Sequence, residues 1–252
     1  MRTAFVRRTV LSAAAVSLAL LATACGGEGK ADAKPSAAAA SAAPVVKGKT
    51  DAELAGLVLA QTDLTTHVIE AMSDEDVKKT VGSTTDKPEC LPLFQAQSLT
   101  GPGAATGNAR VVAAAKGKEA AANATAEEKL KAGLDAFGET ATAVSLHSYE
   151  GKGAQEAFGK IKSGGSACAA GYTGTQDGET VKISKVGPGA PVTGGDESVA
   201  YTIEMAADGE QLKTELVVVR KGNTLAVFNG VSFTGTADQP VTVVAAQLKK
   251  LG

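Results

Sequence analysis

The chain has 252 residues, 44% of them apolar but only 4% aromatic and none of them Trp, so it can fill one core, built from Ala, Val, Leu and Ile. Its 25 basic and 27 acidic side chains give a formal charge of −2; residues 1–24 hold three Arg and no acid, so the remainder carries 22 basic against 27 acidic groups. That acidic balance excludes nucleic acid as a partner and electrostatic capture by anionic lipid.

Arg2, Arg7 and Arg8 form a positive start, and Val10 to Ala24 is an apolar run broken only by Ser12, Ser17 and Thr23. This is the pattern of a secretory signal peptide over residues 1–24. At 15 residues the run is shorter than the roughly 20 a membrane-spanning helix needs. Leu20-Leu21-Ala22-Thr23-Ala24-Cys25-Gly26-Gly27 then places small residues directly before a cysteine. The stretch resembles the bacterial lipobox, with Ala22 where Leu is commonest and Leu21 one residue earlier. The resemblance implies that Cys25 receives a diacylglyceryl group and becomes the mature N-terminus, a palmitate-type modification. Two or more acyl chains hold a protein stably where one does not. The expectation is therefore a lipoprotein at the outer face of the cell membrane; simple secretion by an A-x-A-like cut at Ala22-Thr23-Ala24 is the alternative. Residues 25–49, led by Cys25, are mostly Ala, Gly, Ser, Lys and Pro with Val45-Val46 the only large apolar pair, which predicts a flexible tether spanning roughly 25 to 30 Å.

Residues 50–252 are the predicted extracytoplasmic domain. Beyond Cys25 only Cys90 and Cys168 remain, and outside the cytoplasm an even pair reads as one disulfide. Two buried thiols or a redox pair are the alternatives. There is no Cys-x-x-Cys spacing, and with His67 and His147 the only histidines, metal binding lacks partners.

In chain order, Asp51 caps a predicted helix over 51–60 with Leu54, Leu57 and Val58 on one side. Residues 63–73 alternate as a strand, 74–86 read as a polar loop, and Pro88 opens a short helix to 99 with Cys90, Leu93 and Phe94 on one face. Residues 108–116 read as a strand. Thr125 and Glu128 form a capping box in an Ala-rich helix over 119–137, with Leu130, Leu134 and Phe137 aligned. Residues 140–149 alternate as a strand. Ala154, Ala157, Phe158, Ile161 and Cys168 share a helical face if that helix runs through Gly164-Gly165.

The last third reads as a meander. Strands are predicted over 179–186, over 198–205 with Val199, Tyr201, Ile203 and Met205 on one face, and over 211–220. Asp208-Gly209 is a hairpin turn and Lys221-Gly222-Asn223 a second. Residues 224–233 are apolar on both sides and so belong in the middle of a sheet. Asp238 and Pro240 start a helix whose stripe is Val241, Val244, Ala245, Leu248 and Leu251, suited to covering one sheet face. The fold class is α+β: a largely antiparallel sheet packed by a few helices.

Pro88-Glu89-Cys90-Leu91-Pro92-Leu93, Cys168 after an alanine-rich helix, Gly195-Asp196-Glu197-Ser198 before a strand, and Val217-Val218-Val219-Arg220 leading into a Gly turn together resemble a group of actinobacterial lipoproteins. That group is similar to the extracellular sensor domains of mycobacterial transmembrane serine/threonine kinases. The resemblance implies a sandwich-like α+β domain with a cleft, and brings no enzymatic residues.

Gly164-Gly165-Ser166 and Gly194-Gly195-Asp196-Glu197-Ser198 fit neither a nucleophile elbow nor a P-loop, and glycine before a strand is ordinarily a turn. His67 and His147 fall inside predicted strands. Asp74-Glu75-Asp76 lacks the spaced ligands of a calcium loop, and Asn123-Ala124-Thr125 matches a glycosylation sequon that means little in a bacterium. No cofactor, no metal and no catalytic residue are expected. Three readings remain: a non-enzymatic module binding a small or lipidic ligand or an envelope protein, a structural protein with an exposed apolar patch, and an envelope hydrolase. The last requires a histidine in reach of a serine and a carboxylate.

Overall fold

The computed structural model describes residues 46–116, 121, 123–129, 140–207, 210–232 and 236–252. Among the described residues nine strands form one antiparallel sheet: β1 (His67–Ala71), β2 (Thr84–Thr85), β3 (Gly107–Ala115), β4 (Ala141–Ser148), β5 (Tyr172–Gln176), β6 (Glu179–Pro188), β7 (Glu197–Ala207), β8 (Glu210–Lys221) and β9 (Thr224–Val231). Their order is β1-β3-β4-β9-β8-β7-β6-β5-β2. The predicted meander is the run β6 to β9, and β9 is paired on both sides, as its two apolar faces require.

Helices cover both faces, so the expected sandwich is helix, sheet, helix. On one face lie α3 (Leu91–Gln97), entered through a single 3-10 turn at Pro88–Cys90, and α4 (Gly153–Ala167). They pack on Tyr201, Ile203, Leu216, Val218, Leu225 and Val227. On the other face α1 (Asp51–Ala55) and α5 (Val241–Leu251) cover Val144, Leu146, Val217, Val219, Ala226 and Phe228. Successive residues of β8 and β9 alternate between the two cores, as a pleat demands.

Three expectations are corrected, and one strand lies where none was predicted. The first helix is capped by Thr50, whose side chain accepts from the Glu53 N–H, and Asp51 is its first residue. The helix predicted over 51–60 ends at Ala55, because side chains of α5 take over its backbone groups: Gln247 accepts from the Leu59 N–H (3.0 Å) and donates to the Leu57 carbonyl (2.8 Å). Residues 74–86, read as loop, contain α2 (Asp74–Lys79), whose N-cap is Ser73 accepting from the Asp76 N–H (3.1 Å). Its acidic first turn suits the positive end of a helix, which accounts for the Asp74-Glu75-Asp76 run. The segment 169–178 hides β5, joined to β6 by the Asp177-Gly178 turn, both with positive φ as a type I′ turn needs. The Thr125–Glu128 capping box is present, while Leu130, Leu134, Phe137 and the Asp208-Gly209 turn lie outside the described residues.

α4 does run through Gly164-Gly165, and the glycines are close approaches rather than breaks. A Cβ on Gly165 would sit 2.2 Å from the Tyr201 ring, and one on Gly164 would sit 3.3 Å from the Glu89 carbonyl. Helix α4 thus settles onto the sheet and against α3, bringing Cys168 to Cys90, where the two form a disulfide.

The outer edge of β1 is closed by a side chain. Its register with β3 turns the His67 carbonyl and the Ile69 N–H outward, and the Gln61 amide meets both: Nε2 donates to His67 O (2.7 Å) and Oε1 accepts from Ile69 N (3.2 Å). This is the bonding a neighbouring strand would supply, so Gln61 occupies the place of one. Gln61→Ala is expected to leave the melting temperature within a few degrees but to produce concentration-dependent self-association, read by analytical ultracentrifugation.

Candidate functional site

The site is assembled around the C-terminal end of α3. That helix ends in a Schellman arrangement: Leu99 N–H bonds Ala96 O (3.0 Å) and Thr100 N–H bonds Gln95 O (2.8 Å). The arrangement puts Leu99 at φ 57°, a conformation that ordinarily selects glycine and costs a leucine roughly 1 kcal/mol. Two contacts hold it there. The Leu99 side chain is buried, and its carbonyl accepts from Arg110 Nε (2.8 Å) and from the His147 ring.

His147 is fully enclosed in this cluster, with Nε2 2.9 Å from Ser145 Oγ. Burial and the nearby Arg110 cation hold its pKa down at about 3, so it is a neutral imidazole in the folded protein. A histidine does lie beside a serine, as the hydrolase reading asks, but both are sealed from solvent and the charged neighbour is a cation. The pair works as a core hydrogen bond. The unfolded chain, with an ordinary imidazole pKa near 6.5, binds the proton between pH 6.5 and 3 while the folded one does not, so stability is present above that window and is lost as pH falls through it. Denaturation midpoints should show the domain about 2 kcal/mol weaker at pH 5 than at pH 7. His147→Gln should flatten this difference, whatever it does to stability at pH 7. The depressed carboxylates Glu53, Asp63, Asp76 and Glu128 titrate below their ordinary range near 4, outside the interval compared.

Between the end of α3, α2 and the sheet opens a cleft of about 540 Å³, within the usual range for small-molecule sites. Phe94, Leu99, Val181, Ile183 and Met205 line it with apolar surface; Thr80, Gln97, Ser98 and Asn229 add neutral polar groups; Lys79, Asp177 and Glu179 supply both signs of charge. Helix α3 can stand here because β5 carries Gly174, where a Cβ would meet the Phe94 ring at 2.5 Å. Phe94 then sets its ring edge-on to Tyr172, centroids 6.0 Å apart, and the Tyr172 hydroxyl donates to Gln97 Oε1. Asn229 donates from Nδ2 to the Gln97 carbonyl (3.0 Å), tying this wall to β9.

Strand directions place the cleft relative to the incoming chain. Residues 46–49 dock where β4 ends and β8 turns into β9: Gly151 N–H bonds Val46 O (2.8 Å), Asn223 Nδ2 bonds Lys47 O (2.8 Å) and Lys49 N–H bonds Ser148 Oγ (2.9 Å). The cleft is lined instead by the β5–β6 turn and the far ends of β7 and β9. On β4 the register places Asn229 opposite Ala143, five residues or roughly 17 Å from Ser148, while Leu99 reaches back to His147 beside the docking point. A second hollow, about 650 Å³, lies on the opposite sheet face between α1 and β1, beside Gln61, Ile69 and Ala71.

Of the residues singled out by their sequence pattern, Cys25 lies outside the described residues. Cys90 and Cys168 are wholly buried and joined. Asp196 and Glu197 form ion pairs with Arg220 (2.8 and 2.6 Å), and Ser198 Oγ donates to Val192 O (2.7 Å), so that glycine-rich segment builds a turn. His67 sits on the edge strand beside Thr66 Oγ1 (3.0 Å). Among the described residues no three His, Cys, Asp or Glu gather as metal ligands, and no helix is long and apolar enough to cross a membrane. The cleft residues escape sequence reading because they come from separate elements far apart along the chain.

No protein-family profile and no curated protein matches the chain. Among solved structures, the extracellular domain of PknH from Mycobacterium tuberculosis matches with 11% identity and a TM-score of 0.48, covering 81% of this chain and 97% of its own.

Proposed function

We propose that the protein is a lipid-anchored, sensor-like binding module of the cell envelope, non-enzymatic, which holds a small amphipathic ligand in the cleft between α3 and the sheet. The observation that carries this reading is the cleft itself, a hollow with an apolar floor, neutral polar groups on its wall and charges of both signs among its lining residues.

The reading as an interaction protein draws less support. The exposed large apolar residues among those described are Val46, Val68, Val81 and Val241, which are scattered over separate elements and make no common patch.

The test is native mass spectrometry of the protein extracted from its own membrane, compared with Ser98→Trp, which fills the cleft from a half-buried position. A non-covalent adduct on the wild type that is missing from the variant is expected. An adduct-free wild type, or one whose adduct survives in Ser98→Trp, would count against the cleft as the site.

A further inference from the structure

Three buried side-chain atoms among the described residues have no hydrogen-bond partner: Tyr149 Oη, Thr214 Oγ1 and Asn229 Oδ1. Two of them are neighbours on one face of the sheet. Asn229 on β9 stands opposite Leu216 on β8, and Thr214 is two residues before Leu216, so its side chain leaves the same face. On the other side β8 pairs with β7, where Met205 stands opposite Leu212. Thr214 therefore lies diagonally between Met205 and Asn229, both of which line the cleft, with diagonal neighbours roughly 7 to 8 Å apart along the backbone.

The chemistry of the two atoms is complementary. Asn229 turns its amide nitrogen to the Gln97 carbonyl, which can only accept, so the oxygen is left over and needs a donor. Thr214, 6% exposed, carries a hydroxyl that can donate as well as accept. One alcohol group can serve both at once, giving its proton to Asn229 Oδ1 and accepting that of Thr214. An ether oxygen only accepts and leaves Asn229 unserved. A carboxylate also only accepts, and would bring a charge into an enclosure where, among the described residues, no cation pairs with these atoms to offset its desolvation. Met205, half-buried and flexible, is the side chain that must move aside to admit such a group.

From this juxtaposition we infer that Thr214 and Asn229 form a hydroxyl-recognition subsite beneath the cleft, and that the ligand is an uncharged amphiphile bearing an alcohol. The inference rests on the reading of the cleft as a ligand site and narrows the ligand to one class.

Isothermal titration of the chain carrying Cys25→Ser with 1-decanol, decyl methyl ether and decanoate tests it. The alcohol should bind at least about tenfold more tightly than either of the others. Thr214→Val, which keeps the shape and removes the hydroxyl, should weaken alcohol and ether alike by about tenfold without lowering the melting temperature, while the alcohol keeps its preference through Asn229 Oδ1; Thr214→Ser should retain the affinity of the unaltered protein for both. Equal binding of alcohol and ether to the unaltered cleft would overturn the subsite and leave the cleft reading standing. Affinities for alcohol and ether that are both unchanged in Thr214→Val would place the recognition elsewhere and overturn it too. Binding of none of the three would overturn the proposed ligand class, and the adduct experiment above would then decide the cleft separately.

Discussion

Replacing Cys90 and Cys168 together by Ala is expected to lower the stability of the domain by roughly 4 to 5 kcal/mol, the chain-entropy value for a bridge between residues 78 apart. For a domain of this size that is a fall of roughly 10 to 15 °C in melting temperature. The bridge joins the turn that opens α3 to the residue that closes α4, both in the middle of one core cluster. Because α3 also supplies Phe94 and Gln97 to the cleft and leads into Leu99, its loosening should weaken ligand binding as well as stability. Scanning calorimetry of the double variant, and of the unaltered protein reduced under mild denaturant, should give the same lowered transition. A shift of under about 2 °C would mean that packing of α3 on α4 already fixes the two helices.

Cys25→Ser should move the protein from the membrane fraction to the soluble fraction, the largest change in behaviour expected of any single substitution. A diacylglyceryl group buries two chains at about 0.8 kcal/mol per methylene, enough for stable retention, and a serine oxygen does not take the thioether-linked lipid. The acidic balance of the chain beyond residue 24 offers no electrostatic substitute, so high salt should not release the wild type. Intact mass measurement of the mature protein reads the same claim chemically: a product beginning at Cys25 and heavier by the lipid.

Elements with strong local periodicity are legible in the sequence. β3, β4 and β6 to β9 lie where alternation puts them, and α4 follows its apolar stripe; α5 forms where predicted but turns Val243, Val244 and Gln247 inward and leaves Val241 and Ala245 of the expected stripe exposed. What is not legible depends on partners distant in sequence. The end of α1 is decided by Gln247, some 190 residues away, and the passage of α4 through two glycines by Tyr201 and Glu89. β5 escapes local reading although Asp177-Gly178 is a hairpin signal, since Tyr172-Thr173-Gly174-Thr175 offers one large apolar residue and a glycine that makes sense only beneath Phe94. Ser73 before Asp74-Glu75-Asp76 is a readable cap for α2. The cysteines are visible as a pair by count. The residues that line the cleft are not legible, because Leu99, Ile183, Met205 and Asn229 look like ordinary core residues until the strand order brings them together.

The claim on which the account turns is that the cleft holds a ligand. With the methionine methyl groups labelled with carbon-13, Met205 reports from the cleft and Met72, just beyond β1, from elsewhere. Adding an extract of the envelope from which the protein comes should shift the Met205 signal, leave that of Met72 in place, and have no effect on Met205 in Ser98→Trp. A Met205 signal that stays put in the unaltered protein, or moves equally in the blocked one, would contradict it.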